Sequence, residues 1–413
     1  MELKRVVITG LGTINPLGNS IEEYWKGLKN GVSGASTITR MDISNHKTHF
    51  ACQVKDFDAT LYMNKKEARK CDLYSLYAIA AAQEAFNDSG INLETLNKER
   101  AGVIWGVGIG GGGTFFDEVR SFNPEHPKVN PFFIPKIIAN MAGGLISIRF
   151  GLKGPSFTTV SACASSSHSM IQAYNLIRLG KSEVFITGGS ESAVNNVGLS
   201  GFNSMRAIST RNDDPLTASR PFDKDRDGFV IGEGAGALVF EEYQHAIDRG
   251  AKIYAEVVGE GMSSDAYHMT APDPEGRGAV QVMKEAINDA GLKPEDIGYI
   301  NLHGTSTPLG DLSEAKAIGN TFGDYTSKLS ISSTKSMTGH LLGAAGAIEA
   351  IASIMVLREG IIPPTINHFT DDPDIDSRLD LTFNKPKKRE VEYALSNTFG
   401  FGGHNATLIL KKY

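Results

Sequence analysis

Short β-branched and apolar runs that stop at glycine-rich or small-residue turns alternate along this chain with longer stretches in which apolar residues return every three to four positions. The short runs predict buried strands over 5–10, 101–106, 157–160, 297–302 and 329–333, and the longer stretches predict helices over 64–88, 165–178 and 344–360. Ser20 reads as the N-cap of one further helix. The first strand runs into GLGTINPLG, a tight structural turn on this reading, since it lacks the GxGxxG spacing and the acidic partner of a dinucleotide site.

Two segments repeat. EAFNDSGI at 84–91 returns as EAINDAGL at 285–292, an offset of 285 − 84 = 201, and a strand follows each copy. The helix ending IRLG at 180 is echoed by the one ending LREG at 360. A 413-residue chain exceeds the size at which one core usually stops growing, so the repeats predict two similar α/β halves, 1–250 and 251–413. Alternating strands and helices favour mainly parallel sheets covered on both faces, with ligand sites outside the carboxyl ends of the strands. Cys163, His303 and the segment holding Lys335 and His340 each follow a strand.

Composition narrows the function classes. Forty-one basic against 47 acidic residues leave a net charge of −6, which offers no electrostatic footprint for nucleic acid. No uncharged apolar run is long enough to span a bilayer, and the N-terminus opens into a strand rather than a signal peptide. The three cysteines, Cys52, Cys71 and Cys163, show no CxxC or Cys/His metal spacing, which suits a reducing, cytoplasmic setting. PFDKDRDG at 221–228 looks like part of a calcium loop but lacks the terminal glutamate and flanking helices, so it reads as a structural loop.

The candidate chemistry centres on TTVSACASSSH at 158–168, where Cys163 sits between a strand and the start of a helix. A helix N-terminus can lower a thiol from its free pKa of about 8.5 and make it nucleophilic. A buried small hydrophobe is the other reading of a free cysteine. Lys65, Lys66, Arg69 and Lys70 form either a solvated face or a docking patch for an acidic protein.

SACASSSH, NLHGTSTPLGD, STKSMTGHLLGAAG and NTFGFGGHN, in this order and spacing, resemble the β-ketoacyl-acyl carrier protein synthases, over nearly the whole chain. DAYHMTAP at 265–272 and the SMTGHLLGAAG form are closer to the type II elongating enzymes. The resemblance implies a thiolase-like α/β fold, a duplicated αβαβα five-layer architecture with two mixed, mostly parallel sheets. It implies a decarboxylative condensation in which Cys163 carries the acyl group and His303 and His340 donate to the malonyl thioester oxygen, freed from deprotonating Cys163 by the helix N-terminus. Lys335 would orient the histidines, and the backbone amides of Cys163 and Phe401 would form an oxyanion hole gated by Phe399 and Phe401.

Further roles come from the resemblance alone. Thr270, Thr305 and Thr307 would bind the phosphopantetheine arm that arrives on acyl carrier protein. Ile109, Phe133, Gly198, Phe202 and Leu342 would line the acyl pocket. Asp311 and Glu314 would support the lysine and its surroundings. Asn301, Glu349, Ser396 and Asn397 match a region that holds a monovalent cation, sodium or potassium, in some relatives; no other cofactor is implied. Lys65, Lys66, Arg69, Lys70, Lys128 and Arg206 would dock the carrier protein, and the chain would be a homodimer with no nucleic-acid or membrane partner. Competing readings are a polyketide ketosynthase, a chain-length-factor subunit lacking the nucleophile, and a cysteine hydrolase.

Overall fold

The computed structural model describes residues 3–413. Five strands carry the first half: β1 (Val6–Ile14), β2 (Ala101–Gly106), β3 (Ser156–Thr159), β4 (Val184–Glu191) and β5 (Gly234–Glu242). Five carry the second: β6 (Ala255–Ser264), β7 (Ile297–Asn301), β8 (Ser330–Ser332), β9 (Tyr393–Gly400) and β10 (His404–Lys412). Helices α1 (Leu73–Ser89), α2 (Met141–Phe150) and α3 (Ser165–Arg178) follow β1, β2 and β3; α4 (Arg277–Asp289), α5 (Pro308–Phe322) and α6 (Ala345–Glu359) follow β6, β7 and β8. The sheet order is β3-β2-β4-β5-β1 in the first half and β8-β7-β9-β10-β6 in the second, the same path walked twice.

The two sheets meet edge to edge. Val6, Val7 and Ile8 of β1 pair antiparallel with Val257, Glu256 and Ala255 of β6, so the ladder is continuous across all ten strands. Each half is mixed and mostly parallel, as expected: four of its five strands run in one direction, and the last in chain order, β5 or β10, runs antiparallel to both its neighbours. The reason lies in the connections. No crossover helix joins β9 to β10, which are linked by the three-residue turn 401–403, and a parallel pair needs such a crossover. Helices α3 and α6 pack against each other between the sheets, with α1 and α2 covering one outer face and α4 and α5 the other. Helix α6 is buried on every side, as a helix at the centre of five layers must be.

Gly10 and Gly12 lie inside β1 rather than in the turn expected there. A Cβ at Gly10 would sit 2.1 Å from the Ala85 carbonyl oxygen and one at Gly12 2.1 Å from that of Ala81, so these glycines let α1 touch the strand backbone to backbone. Gly259 and Gly261 of β6 face Ala286 and Val282 of α4 in the same way, at 2.5 Å and 2.2 Å. Ala85 and Ala286 are equivalent positions of the repeated octad, which therefore records a helix–strand contact. Gly10→Ala is expected to destabilise the protein by about 1–3 kcal/mol, the usual cost of overpacking, read as a lower urea midpoint. An unchanged midpoint would contradict the packing argument.

The stretch 64–88 is not one helix. Asn64 caps a single turn, Lys65–Ala68, by accepting from Glu67 N at 2.9 Å, and Asp72 caps α1 by accepting from Tyr74 N at 3.3 Å. Two capping side chains this close restart the helix. Among the described residues no helix is long and apolar enough to cross a membrane.

Candidate functional site

Cys163 occupies a tight turn, Ala162–Ala164, between β3 and α3, with Ala162 at φ +51°. The end of β9 presses onto this turn because Gly400 has no side chain; a Cβ there would lie 2.6 Å from Ser161 O and 3.2 Å from Cys163 N. That approach aims the Phe401 backbone N–H at the Cys163 thiol. Gly402 and Gly403, at φ +88° and +74°, then turn the chain into β10.

His303 leaves the end of β7. Glu314 on α5 accepts from His303 N at 2.9 Å and Gly304 N at 2.7 Å, fixing the backbone from which the imidazole projects. His340 follows β8 through a helical turn, Lys335–Thr338, and its own N–H donates to Val230 O at 2.7 Å. His340 Nε2 lies 2.9 Å from Cys163 Sγ, and its ring meets those of His303 and Phe229 edge to face, with centroids 5.3 Å away in each case. His303 in turn packs 5.6 Å from Phe399. Cys163, His303 and His340 thus converge from the carboxyl ends of β3, β7 and β8.

Burial governs the protonation of this cluster. It pushes the Cys163 thiol up to about 12, against the opposing pull of the Lys335 charge and the Phe401 amide. Burial, with Lys335 adding to it, holds His340 and His303 well below the ordinary histidine range, and His340 lowers His303 further. Burial therefore favours a neutral thiol and two neutral imidazoles. Cys163 is only 7% exposed, so desolvation of its anion opposes the N-terminal partial charge expected to favour a thiolate. His340 touches the thiol.

Lys335 is fully buried, and its Nζ is ion-paired with Glu349. Glu349 was expected in the cation set with Asn301, Ser396 and Asn397; one of its oxygens is instead committed to Lys335. Glu349 Oε2 and Asn301 Oδ1 are buried without a donor, which fits a cation in part, whereas Asn397 Oδ1 accepts from Thr407 Oγ1 at 2.7 Å. Asp311 and Glu314 do not contact Lys335 directly. Asp311 accepts from Phe222 N at 2.8 Å and Ser306 N at 3.1 Å and lies 3.5 Å from the Arg226 guanidinium, while Glu314 props His303.

Above the cluster opens a cavity of about 560 Å³. Ile109, Phe202, Leu342, Thr270, Thr305, Thr307, Phe399 and Phe401 line it, and the Thr305 and Thr307 hydroxyls are 3.0 Å apart. Phe133 and Gly198 do not. Phe133 stacks on Phe115 at 6.0 Å on an exposed apolar face, and Gly198 lies where a Cβ would meet Ala193 O at 2.3 Å, a steric reason for glycine in a helix start. Lys65, Lys66, Arg69, Lys70, Lys128 and Arg206 are all exposed, and none forms an ion pair among the described residues. Arg206 also lines the cavity. Sequence reasoning missed Phe229, which walls in His340, and Glu191, whose buried carboxylate gathers backbone amides beside Cys163. Phe229 sits in an isolated bridge, in FVIG, and Glu191 at a strand end, in GGSES, and neither context carries a motif of its own.

Residues 3–246 match the β-ketoacyl synthase N-terminal domain and residues 254–369 its C-terminal domain. The chain is 50% identical to the 3-oxoacyl-[acyl-carrier-protein] synthase 2 of Synechocystis sp., covering 100% of this chain and 99% of that protein. A β-ketoacyl synthase from Burkholderia phymatum superposes with a TM-score of 0.91 at 36% identity over 99% of this chain and 100% of its own. A type II polyketide ketosynthase, solved with its acyl-carrier protein and bound to the hexaketide, superposes with a TM-score of 0.88 at 29% identity, each chain being covered fully.

Proposed function

The chain belongs to the β-ketoacyl synthase family, and on that premise we propose that it elongates fatty acids by condensing an acyl group held on Cys163 with a malonyl thioester delivered by acyl carrier protein. The observation that carries this reading is a buried thiol in contact with one of two neutral imidazoles at the floor of an acyl-sized cavity.

As the Cys163 sulfur attacks the incoming acyl thioester, its proton passes to His340 Nε2, 2.9 Å away. The tetrahedral oxyanion faces the backbone amides of Cys163 and Phe401. Its collapse expels the carrier thiolate, which takes the proton back from His340 and leaves. Malonyl thioester then loses carbon dioxide, and the bonding pair becomes an enolate whose oxygen accepts from the N–H groups of His303 and of His340, the latter now in the neutral tautomer protonated on Nε2. Neutral imidazoles suit this step because they donate hydrogen bonds without quenching the carbanion. The enolate carbon attacks the acyl carbonyl, a carbon–carbon bond forms, and the Cys163–acyl bond breaks to release the Cys163 thiolate, which takes a proton from solvent to regenerate the thiol.

The remaining parts are assigned on the same reading. Thr270, Thr305 and Thr307 hold the phosphopantetheine arm, with Phe399 and Phe401 gating the entrance. Ile109, Phe202 and Leu342 bound the acyl chain. Lys335 orients the histidines from behind, and its partner Glu349 with Asn301 would hold a sodium or potassium ion, which would stiffen this region. The unpaired basic residues around Lys65 and Arg206 dock the acidic carrier protein. The exposed apolar face with Phe115, Phe132, Ile134 and the edge residues Phe157 and Val160 supports a homodimer, and the two halves divide near residue 250. A cytoplasmic setting fits the free thiols. A chain-length-factor role is disfavoured by the retained Cys163.

Incubation with acyl-loaded carrier protein is expected to add one acyl group to Cys163, found by mass spectrometry of its peptide. Malonyl carrier protein should then release a product two carbons longer. An adduct elsewhere, or none, overturns the proposal.

A further inference from the structure

Of the glycine-rich run GVGIGGGG at 106–113, only Ile109 has been given a role above. The contacts of its neighbours supply another. Glu191 ends β4 with its side chain wholly buried, and its carboxylate accepts from Gly108 N at 2.9 Å, Ile109 N at 3.0 Å and Gly110 N at 3.0 Å, and from Gly343 N at 3.2 Å. Successive amides curled around one carboxylate form an anion nest. Burial pushes this carboxyl up to about 7 while the four amides pull it back, so the group depends on them.

The carboxylate also ties the two halves together, since 108–110 belongs to the first and Gly343 to the second. Glycine is required at both contacts: a Cβ on Gly108 would lie 2.5 Å from Glu191 Oε2, and one on Gly343 2.2 Å from Gly108 N. Each of these glycines adjoins a side chain of the cavity wall, Ile109 beside Gly108 and Leu342 beside Gly343. Leu342 is held at φ +50°, a conformation a leucine keeps only when its surroundings impose it.

We propose that Glu191 is a positioning residue that fixes Ile109 and Leu342 against each other and so sets the length of acyl chain the cavity accepts. This rests on the reading that the cavity holds the acyl chain. With the nest intact, the wall is anchored from behind by four hydrogen bonds. Without it, Ile109 can retreat and a longer chain fits.

The experiment compares kcat/KM for a long and a short acyl carrier protein, sixteen and eight carbons, in the full-length protein and in Glu191→Gln. Glutamine keeps one acceptor oxygen but turns an NH2 group toward the amides. The long-to-short ratio is expected to rise about 10-fold, the scale on which an apolar pocket discriminates one methylene, and the amides of 108–110 should exchange hydrogen faster. A ratio within about twofold of the parent overturns the proposal. Should Glu191→Gln fail to fold, Glu191→Asp, whose carboxylate is one methylene short of the nest, takes the same measurement with the same criterion. Ile109→Phe separates the two claims. If it lowers the ratio while the Glu191 variants leave it unchanged, the role of Glu191 alone falls; if it too changes nothing, the cavity is not the acyl site and the premise falls.

Discussion

Cys163→Gln is expected to abolish carbon–carbon bond formation, by on the order of 10⁴- to 10⁶-fold, while malonyl carrier protein is still decarboxylated at a measurable rate. The size of the loss follows from the absence of any second nucleophile at the cavity floor, where His303 and His340 are the neighbouring polar side chains. Glutamine is close to a thioester-bearing cysteine in length and presents a carbonyl where the acyl oxygen would lie, beneath the Phe401 amide. The histidines keep their positions, because His303 is fixed through Glu314 and His340 through its backbone bond to Val230. Radiolabelled malonyl carrier protein separates the two steps: labelled carbon dioxide should appear without elongated product. Retained elongation would remove Cys163 from the mechanism, and loss of decarboxylation as well would tie the histidines to the thiol more tightly than proposed.

Lys335→Met carries the second large effect. Both partners of the Lys335–Glu349 pair are only 1% exposed, so methionine fills the space of the lysine stem but leaves a buried carboxylate without its counter-ion. Breaking such a pair from one side costs about 3–5 kcal/mol. The cost should depend on pH in a definite direction. Burial already pushes the Glu349 carboxyl up to about 7, against the pull of Lys335, and losing the lysine moves it higher, whereas in the unfolded chain it returns to about 4.3. The folded state then binds more protons than the unfolded one, so stability is highest at low pH and is lost as pH rises through the folded value. Urea unfolding of the variant is expected to show a modest deficit near pH 6 that widens above pH 7. A deficit that shrinks with rising pH would contradict the pairing.

Much of this was readable beforehand, and what was not has physical causes. Cys163, His303 and His340 stood out because each follows a strand, and strands of this fold end at one place. The octad at 84–91 and 285–292 exposed the duplication because a helix that touches a glycine strand can carry little besides small residues there. Glycine was also the main source of error: at Gly10 and Gly12 it marks a close approach, which a single sequence cannot tell from a turn. The split at Asp72 was hidden because a capping aspartate inside a periodic stretch looks like an ordinary polar position. The balance at the thiol was not legible because it depends on the depth of burial, a property of the assembled halves. Phe133 and Gly198, expected in the acyl wall, lie outside the cavity of this chain, on an exposed face and at a helix start.

The turn that carries Cys163 has a twin. Ala162 at φ +51° leads into α3, and Leu342 at φ +50° leads into α6, each through one short helical turn. Gly343 therefore stands in the second half where Cys163 stands in the first. A side chain at Gly343 would collide with Gly108 N at 2.2 Å, in the wall of the very cavity its counterpart serves. Mutation cannot install a second reaction centre there without prying the wall apart. The functional asymmetry of the two copies is thus locked by steric fit: one turn serves as tool, the other as the brace that shapes its workspace.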